Sequence, residues 1–167
     1  MQKLDLGLLV LRIVFGLTMM SHGWNKFFSP SGIDGTTRWF AAIGMKWPSL
    51  QSRIAASSEI GSGMLLTVGL FNVVSTTMFV ALMIVAIITV HARVGFFIFL
   101  PNGGWEYCAA IIATATALSL TGPGQYSLDN ALGIPSSWSV VALPLGIILA
   151  LCHVAISYRP DSQGSAS

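Results

Sequence analysis

The sequence contains five apolar stretches separated by short polar segments. A helix that crosses about 30 Å of hydrocarbon needs roughly 20 mostly apolar residues. Hydrophobic residues make up 54% of the 167-residue chain and charged residues only 8%. A soluble domain carries about 25% charged residues, so this chain lacks the charge for an ordinary water-exposed surface. We therefore predict an all-α, polytopic membrane helix bundle, with spans at residues 4–28, 53–70, 72–97, 105–121 and 138–158.

Charge and motif content exclude several classes of function. The net charge of +2, without a Lys/Arg cluster, argues against a nucleic-acid partner. No P-loop, GxGxxG or GxSxG motif supports a nucleotide-driven enzyme or a hydrolase. The two cysteines, Cys108 and Cys152, form no CxxC pair, and packing is a more common role for them than redox chemistry. Arg12 interrupts the first apolar stretch and no A-x-A-like site follows, so we expect a retained helix rather than a signal peptide.

Basic residues fall mostly at one end of the predicted spans. The positive-inside rule then places this basic face in the cytoplasm and the N-terminus outside. The segment 36–42 is predicted to form a short helix in the interface at the same face. The basic residues concerned are Lys26, Arg38, Lys46, Arg53, Arg93 and Arg159.

Titratable side chains from several spans lie at matched depth below the basic face. His22, Glu59 and His91 are each six residues from that end of their span, which is about 9 Å at 1.5 Å per residue. Glu106 begins the fourth span within a few residues of the same face. Ionisable groups inside a membrane normally face the bundle interior or a wet cavity. We therefore predict a polar layer, defined as His22, Glu59, His91 and Glu106, with Glu59 buried and within reach of His22 or His91.

Small residues accompany both glutamates of the polar layer. Ala55, Glu59 and Gly63 recur at i, i+4 and i+8, a spacing that lets membrane helices approach closely. The fourth span shows a second stripe, which also predicts an inward-facing surface. That stripe comprises Glu106, Ala109 or Ala110, Ala113 and Ala117.

Arg12 lies ten residues before His22, about 15 Å away along the first span. A membrane arginine is costly without a partner, so we predict a structural pair with Asp129, in the loop at that opposite face.

The polar layer leaves several kinds of site open. A histidine and a carboxylate could exchange protons with a quinone, since histidine titrates near neutral pH and a desolvated carboxyl has a raised pKa. A buried Glu–His or Glu–Lys pair that fixes helix register is favoured slightly over this interpretation. A metal bound by His22, His91 and Glu59, or a haem with two histidines as axial ligands, is less favoured, because no local ligand spacing supports either; we predict no metal site.

Three segments carry a resemblance to a known family. They read LRIVFGLTMMSHGWNKF, SSEIGSGMLLTVGL and GGWEYCAAIIATATALSLTGPGQYSLD. In this order they resemble the signature blocks of the DoxX family of small bacterial membrane proteins, whose DoxD-like relatives include subunits of a thiosulfate:quinone oxidoreductase. The matched polar residues are Arg12, His22, Lys26, Glu59, Glu106, Tyr126 and Asp129.

The resemblance implies a four-helix transmembrane core over residues 1–132 in the bacterial cytoplasmic (inner) membrane. Residues 133–158 would add a C-terminal transmembrane helix, and residues 159–167 are predicted to be a disordered tail.

As a function, the resemblance implies a redox subunit that links a thiol or sulfur-compound partner to the quinone pool. Glu59, His22 and Glu106 are then candidates for proton handling, and His22, Glu59, His91 and Lys26 for a quinone pocket. Quinone is the cofactor or partner expected, with membrane lipid, a redox partner protein and a second copy of the chain as further partners. A non-catalytic scaffold or small-solute transporter stays open as the alternative.

Overall fold

The computed structural model describes residues 2–135 and 139–159, and the regular elements within these ranges are helices, apart from one isolated β-bridge. A π-helical turn, Ile87–His91, continues the helix Asn72–Ala86, and a 3₁₀ turn, Ser139–Val141, precedes the helix Ala142–Ser157. The helices are α1 (Gln2–Phe28), α2 (Gly32–Ala42), α3 (Pro48–Val68), α4 (Asn72–Ala86), α5 (Glu106–Thr121), α6 (Leu128–Ala131) and α7 (Ala142–Ser157). The predicted all-α membrane helix bundle is confirmed.

Several helix bounds differ from those predicted. The second span begins earlier than expected, at Pro48, because proline suits the first turn of a helix, where its missing N–H costs nothing. The third span ends at His91 rather than at residue 97, and Gly95, with φ +119°, then turns the chain. Helix α7 begins at Ala142, and the predicted start of that span at residue 138 lies outside the described residues. The tail predicted at 159–167 also lies outside them, except for its first residue.

Helices α1 and α3 pack backbone to backbone. A Cβ added at Gly63 would lie 2.6 Å from the carbonyl oxygen of Gly16, and one added at Gly16 would lie 2.7 Å from that of Gly63. Further along, a Cβ at Gly23 would lie 2.5 Å from the carbonyl oxygen of Ala56. The close contact of α3 with α1 therefore runs through Ala56 and Gly63, whereas the predicted stripe had Ala55 in place of Ala56. Contacts this close need glycine because any larger side chain would separate the two helices.

Helix α4 is central, since it packs against α3, α5 and α7. Its Phe79 and Val80 are buried in the apolar core together with Leu66 of α3 and Leu118 of α5. Gly146 allows α7 to approach α4 closely, because a Cβ there would lie 2.7 Å from the Val80 side chain.

The predicted alanine stripe of the fourth span is wrong. Ala113 and Ala117 are exposed, while the buried positions of α5 are Cys108, Ile111, Ala115, Leu118 and Ser119. The face of α5 that is buried therefore runs through Ile111, Ala115 and Leu118, and the predicted stripe lies on another face of the helix.

The end of α7 is tied to the loop before α3. Met45 and Tyr158 form an antiparallel bridge, and the Arg159 N–H donates to the Gly44 carbonyl at 2.9 Å. The Lys46 ammonium donates to the carbonyl of Ile156 at 2.8 Å. Lys46 and Arg159 therefore lie at the same end of the bundle.

By length and composition, two helical segments could cross a bilayer, Gln2–Phe28 and Asn72–His91. Helices α5 and α7 are apolar but shorter. The number of membrane passes thus stays a prediction.

Candidate functional site

A buried ion pair joins α1 to α3. The Lys26 ammonium lies 2.7 Å from Oε1 and 2.6 Å from Oε2 of Glu59. Their side chains are 18% and 10% exposed, so water screens the pair only weakly. Gly23 makes this possible, because it brings α3 so close to α1 that an added Cβ would lie 3.0 Å from the Cβ of Glu59. The prediction that Glu59 is buried is confirmed.

The ion pair forms part of the wall of a cavity of about 450 Å³. This volume falls in the range of ligand sites, about 300–1,000 Å³, and such sites combine apolar walls with a few polar groups. Helices α1, α2, α3, α4 and α7 all contribute to the wall. Its apolar residues include Trp39, Phe40, Ile43, Met45, Ile54, Ala55, Met78, Ala81, Leu82, Val85, Ala86, Val90, Leu149 and Ala150.

Other polar side chains reach the same cavity from three helical elements. Gln51 and Ser58 come from α3, His153 from α7, and Thr89 from the π-helical turn. A π-helical turn inserts an extra residue and so changes which side chains face inward, which is why such turns recur at functional sites. Gln51 carries no motif signal, but it stands eight residues before Glu59, on the same face of α3.

Three members of the polar layer do not line this cavity. His22 is exposed, His91 Nδ1 lies 2.8 Å from the carbonyl oxygen of Gly103, and Glu106 Oε2 accepts the Ile98 N–H at 3.1 Å. The contacts of His91 and Glu106 instead hold the loop that connects α4 to α5. Of the quinone-pocket candidates, Lys26 and Glu59 line the cavity, and His22 and His91 do not. The roles predicted for these four residues, and the proton-handling role predicted for Glu106, stay predictions. Among the described residues, no three His, Cys, Asp or Glu side chains group as metal ligands.

Arg12 is fully buried in the N-terminal half of α1, away from Lys26 in its last turn. Its Nη2 donates to the carbonyl oxygen of Tyr126, and its charge interacts with that of Asp129. The Asp129 carboxylate accepts the backbone N–H of Phe71 at 2.7 Å and of Asn72 at 2.8 Å. The two predicted partners are therefore coupled by charge, while their hydrogen bonds go to backbone groups of the loops.

This arrangement predicts that exchanging the two charges does not restore stability. Arg12→Glu and Asp129→Arg should each lower the free energy of unfolding by about 2 kcal/mol or more, because each places the wrong group against buried backbone partners. In the double variant, arginine at 129 cannot accept the N–H of Phe71, and glutamate at 12 cannot donate to Tyr126. Thermal unfolding in detergent, followed by circular dichroism, measures the effect. Recovery of native stability in the double variant would show that charge alone determines the contact.

Comparison with known proteins agrees with these features. The family model of DoxX matches residues 7–92. The chain is 31% identical over 128 residues to a Bacillus subtilis (strain 168) protein named "Putative oxidoreductase CatD", covering 77% of this chain and 88% of that protein. It is 29% identical over 138 residues to "Inner membrane protein YqjF" of Escherichia coli (strain K12), covering 79% and 97%. No solved structure matches the chain. The family match, which contains both Lys26 and Glu59, and the length of the shared alignments show that the chain belongs to the DoxX family of membrane proteins.

Proposed function

We propose that this DoxX protein is a redox subunit that passes electrons from a thiol or sulfur-compound partner to a quinone bound in the cavity. The observation that supports this most is the Lys26–Glu59 ion pair in the wall of an otherwise mostly apolar cavity. An apolar cavity inside a membrane bundle suits a lipid-soluble ring. The charged pair offers both a hydrogen-bond donor and a proton carrier to the ring oxygen.

The proposed reaction balances without a further reactant. Two thiols lose two electrons and two protons and form a disulfide, and the quinone takes up both electrons and both protons and becomes a quinol. The Lys26 ammonium would donate a hydrogen bond to a quinone carbonyl. The Glu59 carboxylate would accept a proton that the thiols release and pass it to the quinone oxygen as charge develops there. The Bacillus subtilis relative named "Putative oxidoreductase CatD" supports the redox class.

We also propose a multi-pass location in the bacterial cytoplasmic (inner) membrane. The name of the Escherichia coli relative supports a location in the inner membrane, and the two long apolar helical segments support passage of the chain through that membrane. Both the basic residues and the cavity then lie towards one face, where a soluble redox partner could approach.

Glu59→Gln is expected to slow quinone reduction by the purified protein about 10²–10⁴-fold, because an amide cannot carry the proton to the quinone. The fold should tolerate Gln better than Leu at this position, since the amide still hydrogen-bonds Lys26. Quinone reduction is followed by absorbance with a dithiol as donor. Asp34→Asn is the matched control: it makes the same change on an exposed residue of α2 outside the cavity wall, and should leave the rate unchanged.

A non-catalytic scaffold or small-solute transporter is the alternative function. Normal turnover by Glu59→Gln would exclude the proposed proton route. No quinone extracted from the native protein, together with no quinone-linked activity, would favour the alternative.

A further inference from the structure

Gln51 is a buried residue whose side chain lines the cavity and keeps part of its surface open to it. The residue is only 5% exposed. Its backbone N–H donates to the Trp47 carbonyl at 3.0 Å, so the main chain is satisfied. Within residues 2–135 and 139–159, by contrast, its side chain makes no hydrogen bond with the protein. Buried polar side chains nearly always have a partner, so this amide is expected to find its partner inside the cavity.

Neighbouring polar groups are already engaged. The hydroxyls of Thr37 and Ser52 hydrogen-bond each other at 2.8 Å, and Lys26 holds both oxygens of Glu59. A bound molecule therefore meets the ion pair and the Gln51 amide, together with the Ser58 hydroxyl and the His153 ring in the same wall. The Gln51 amide is the one that stands about two helical turns from Glu59 on the face that they share.

The two contacts stand at opposite ends of one helix face. Gln51, Ala55, Ser58 and Glu59 follow the spacing i, i+4, i+7 and i+8, and all four line the cavity. Eight residues separate Gln51 from Glu59, about 12 Å along the helix axis. The methyl group of Ala55 leaves space between them. A six-membered ring with opposite carbonyls, plus a hydrogen bond of about 2.9 Å at each end, has a length of the same order.

We propose that Gln51 is the second polar anchor of the ligand and that the cavity selects a ring with two opposed acceptors, a 1,4-quinone, over a ring with one. The inference rests on the proposed function, because it assigns the second oxygen of the same bound quinone. Lys26 donates to one carbonyl oxygen and the Gln51 amide N–H donates to the other. A ring with a single carbonyl binds through Lys26, since a hydrogen bond from a charged donor is the stronger of the two.

The test compares menadione with 2-methyl-1-tetralone, which has a methylene group in place of one carbonyl and a saturated bond in place of the ring double bond. Binding to the full chain in detergent is measured through quenching of tryptophan fluorescence, since Trp39 lines the cavity. Gln51→Leu should weaken menadione binding about three- to tenfold, the value of one neutral hydrogen bond, and tetralone binding less than about twofold. Ser57→Leu is the control, because it makes a polar-to-leucine change at an exposed position of α3 outside the cavity wall. It should alter neither affinity.

The outcomes separate this inference from the proposed function. Native protein that binds neither probe overturns both. If Gln51→Leu leaves menadione binding intact, only the role of Gln51 is overturned. Equal weakening of menadione and tetralone binding would indicate lost packing and would also overturn that role alone. Gln51→Met, closer in shape to glutamine, replaces the leucine variant if that one fails to fold, and the same selective loss is expected from it.

Discussion

Gly63→Ala is expected to lower the free energy of unfolding by about 2–3 kcal/mol, the upper part of the range for overpacking a core. The added methyl group would lie 2.6 Å from the Gly16 carbonyl oxygen and 2.9 Å from the Met20 backbone nitrogen. Both of these atoms belong to the backbone of α1, so neither can rotate away. The helices must separate instead, and α1–α3 is the most extensive helix contact in the bundle.

Gly61 supplies the control on the same helix. A Cβ at Gly61 meets nothing within 4 Å, so Gly61→Ala should be neutral or stabilising by up to about 1 kcal/mol through helix propensity. Unfolding in detergent, followed by circular dichroism, compares the two variants. Gly16→Ala should resemble Gly63→Ala, and the double variant should cost less than the sum, because both changes break one contact. Equal stability of the Gly61 and Gly63 variants would contradict the close contact of α1 and α3.

The apolar stretches made the helix bundle predictable from the sequence, but they could not fix the rotation of each helix. Successive residues on a helix are about 100° apart, so a stripe shifted by one residue faces a different neighbour. Gly63 makes a close helix contact, as its stripe predicted, and the structure shows that the partner is α1. Ala56 takes part in that contact rather than Ala55, which lines the cavity. On α5 the stripe that contains Ala113 faces outward, since small residues suit a helix surface as well as an interface.

The same limit applies to the candidate site. Depth along the helix axis correctly singled out Glu59 as a buried group, but it ranked His22 and His91 as partners because they lie at a matched depth. Gly23, the residue after His22, is the one that faces α3, and His22 itself is exposed. Lys26 lies one turn further along α1 and reaches Glu59 through its long side chain. Gln51 belongs to no motif, so its role depends on the cavity, which only the packed structure defines.

Removing either partner of the buried ion pair should destabilise the protein more than removing both. Lys26→Met leaves a carboxylate without its cation, and Glu59→Leu leaves an ammonium without its anion. Loss of one partner of a buried pair costs about 3–5 kcal/mol, whereas apolar replacement of both partners is often neutral. We expect each single variant to lower the free energy of unfolding by about 3 kcal/mol. This is the low end of the range because the side chains are 18% and 10% exposed. The double variant Lys26→Met/Glu59→Leu should recover most of that loss.

The double variant also separates the structural role of the pair from its proposed chemistry. If the pair only fixes the register of α1 against α3, the folded double variant should keep whatever activity the native protein has. If it serves a bound quinone, the double variant should unfold like the native protein and yet reduce quinone at least about 10²-fold more slowly, since it has lost the proton carrier. Unfolding in detergent and quinone reduction are measured on the same preparations. Single-variant losses that simply add in the double variant would show that the two charges are not coupled, and would remove the ion pair as the centre of the site.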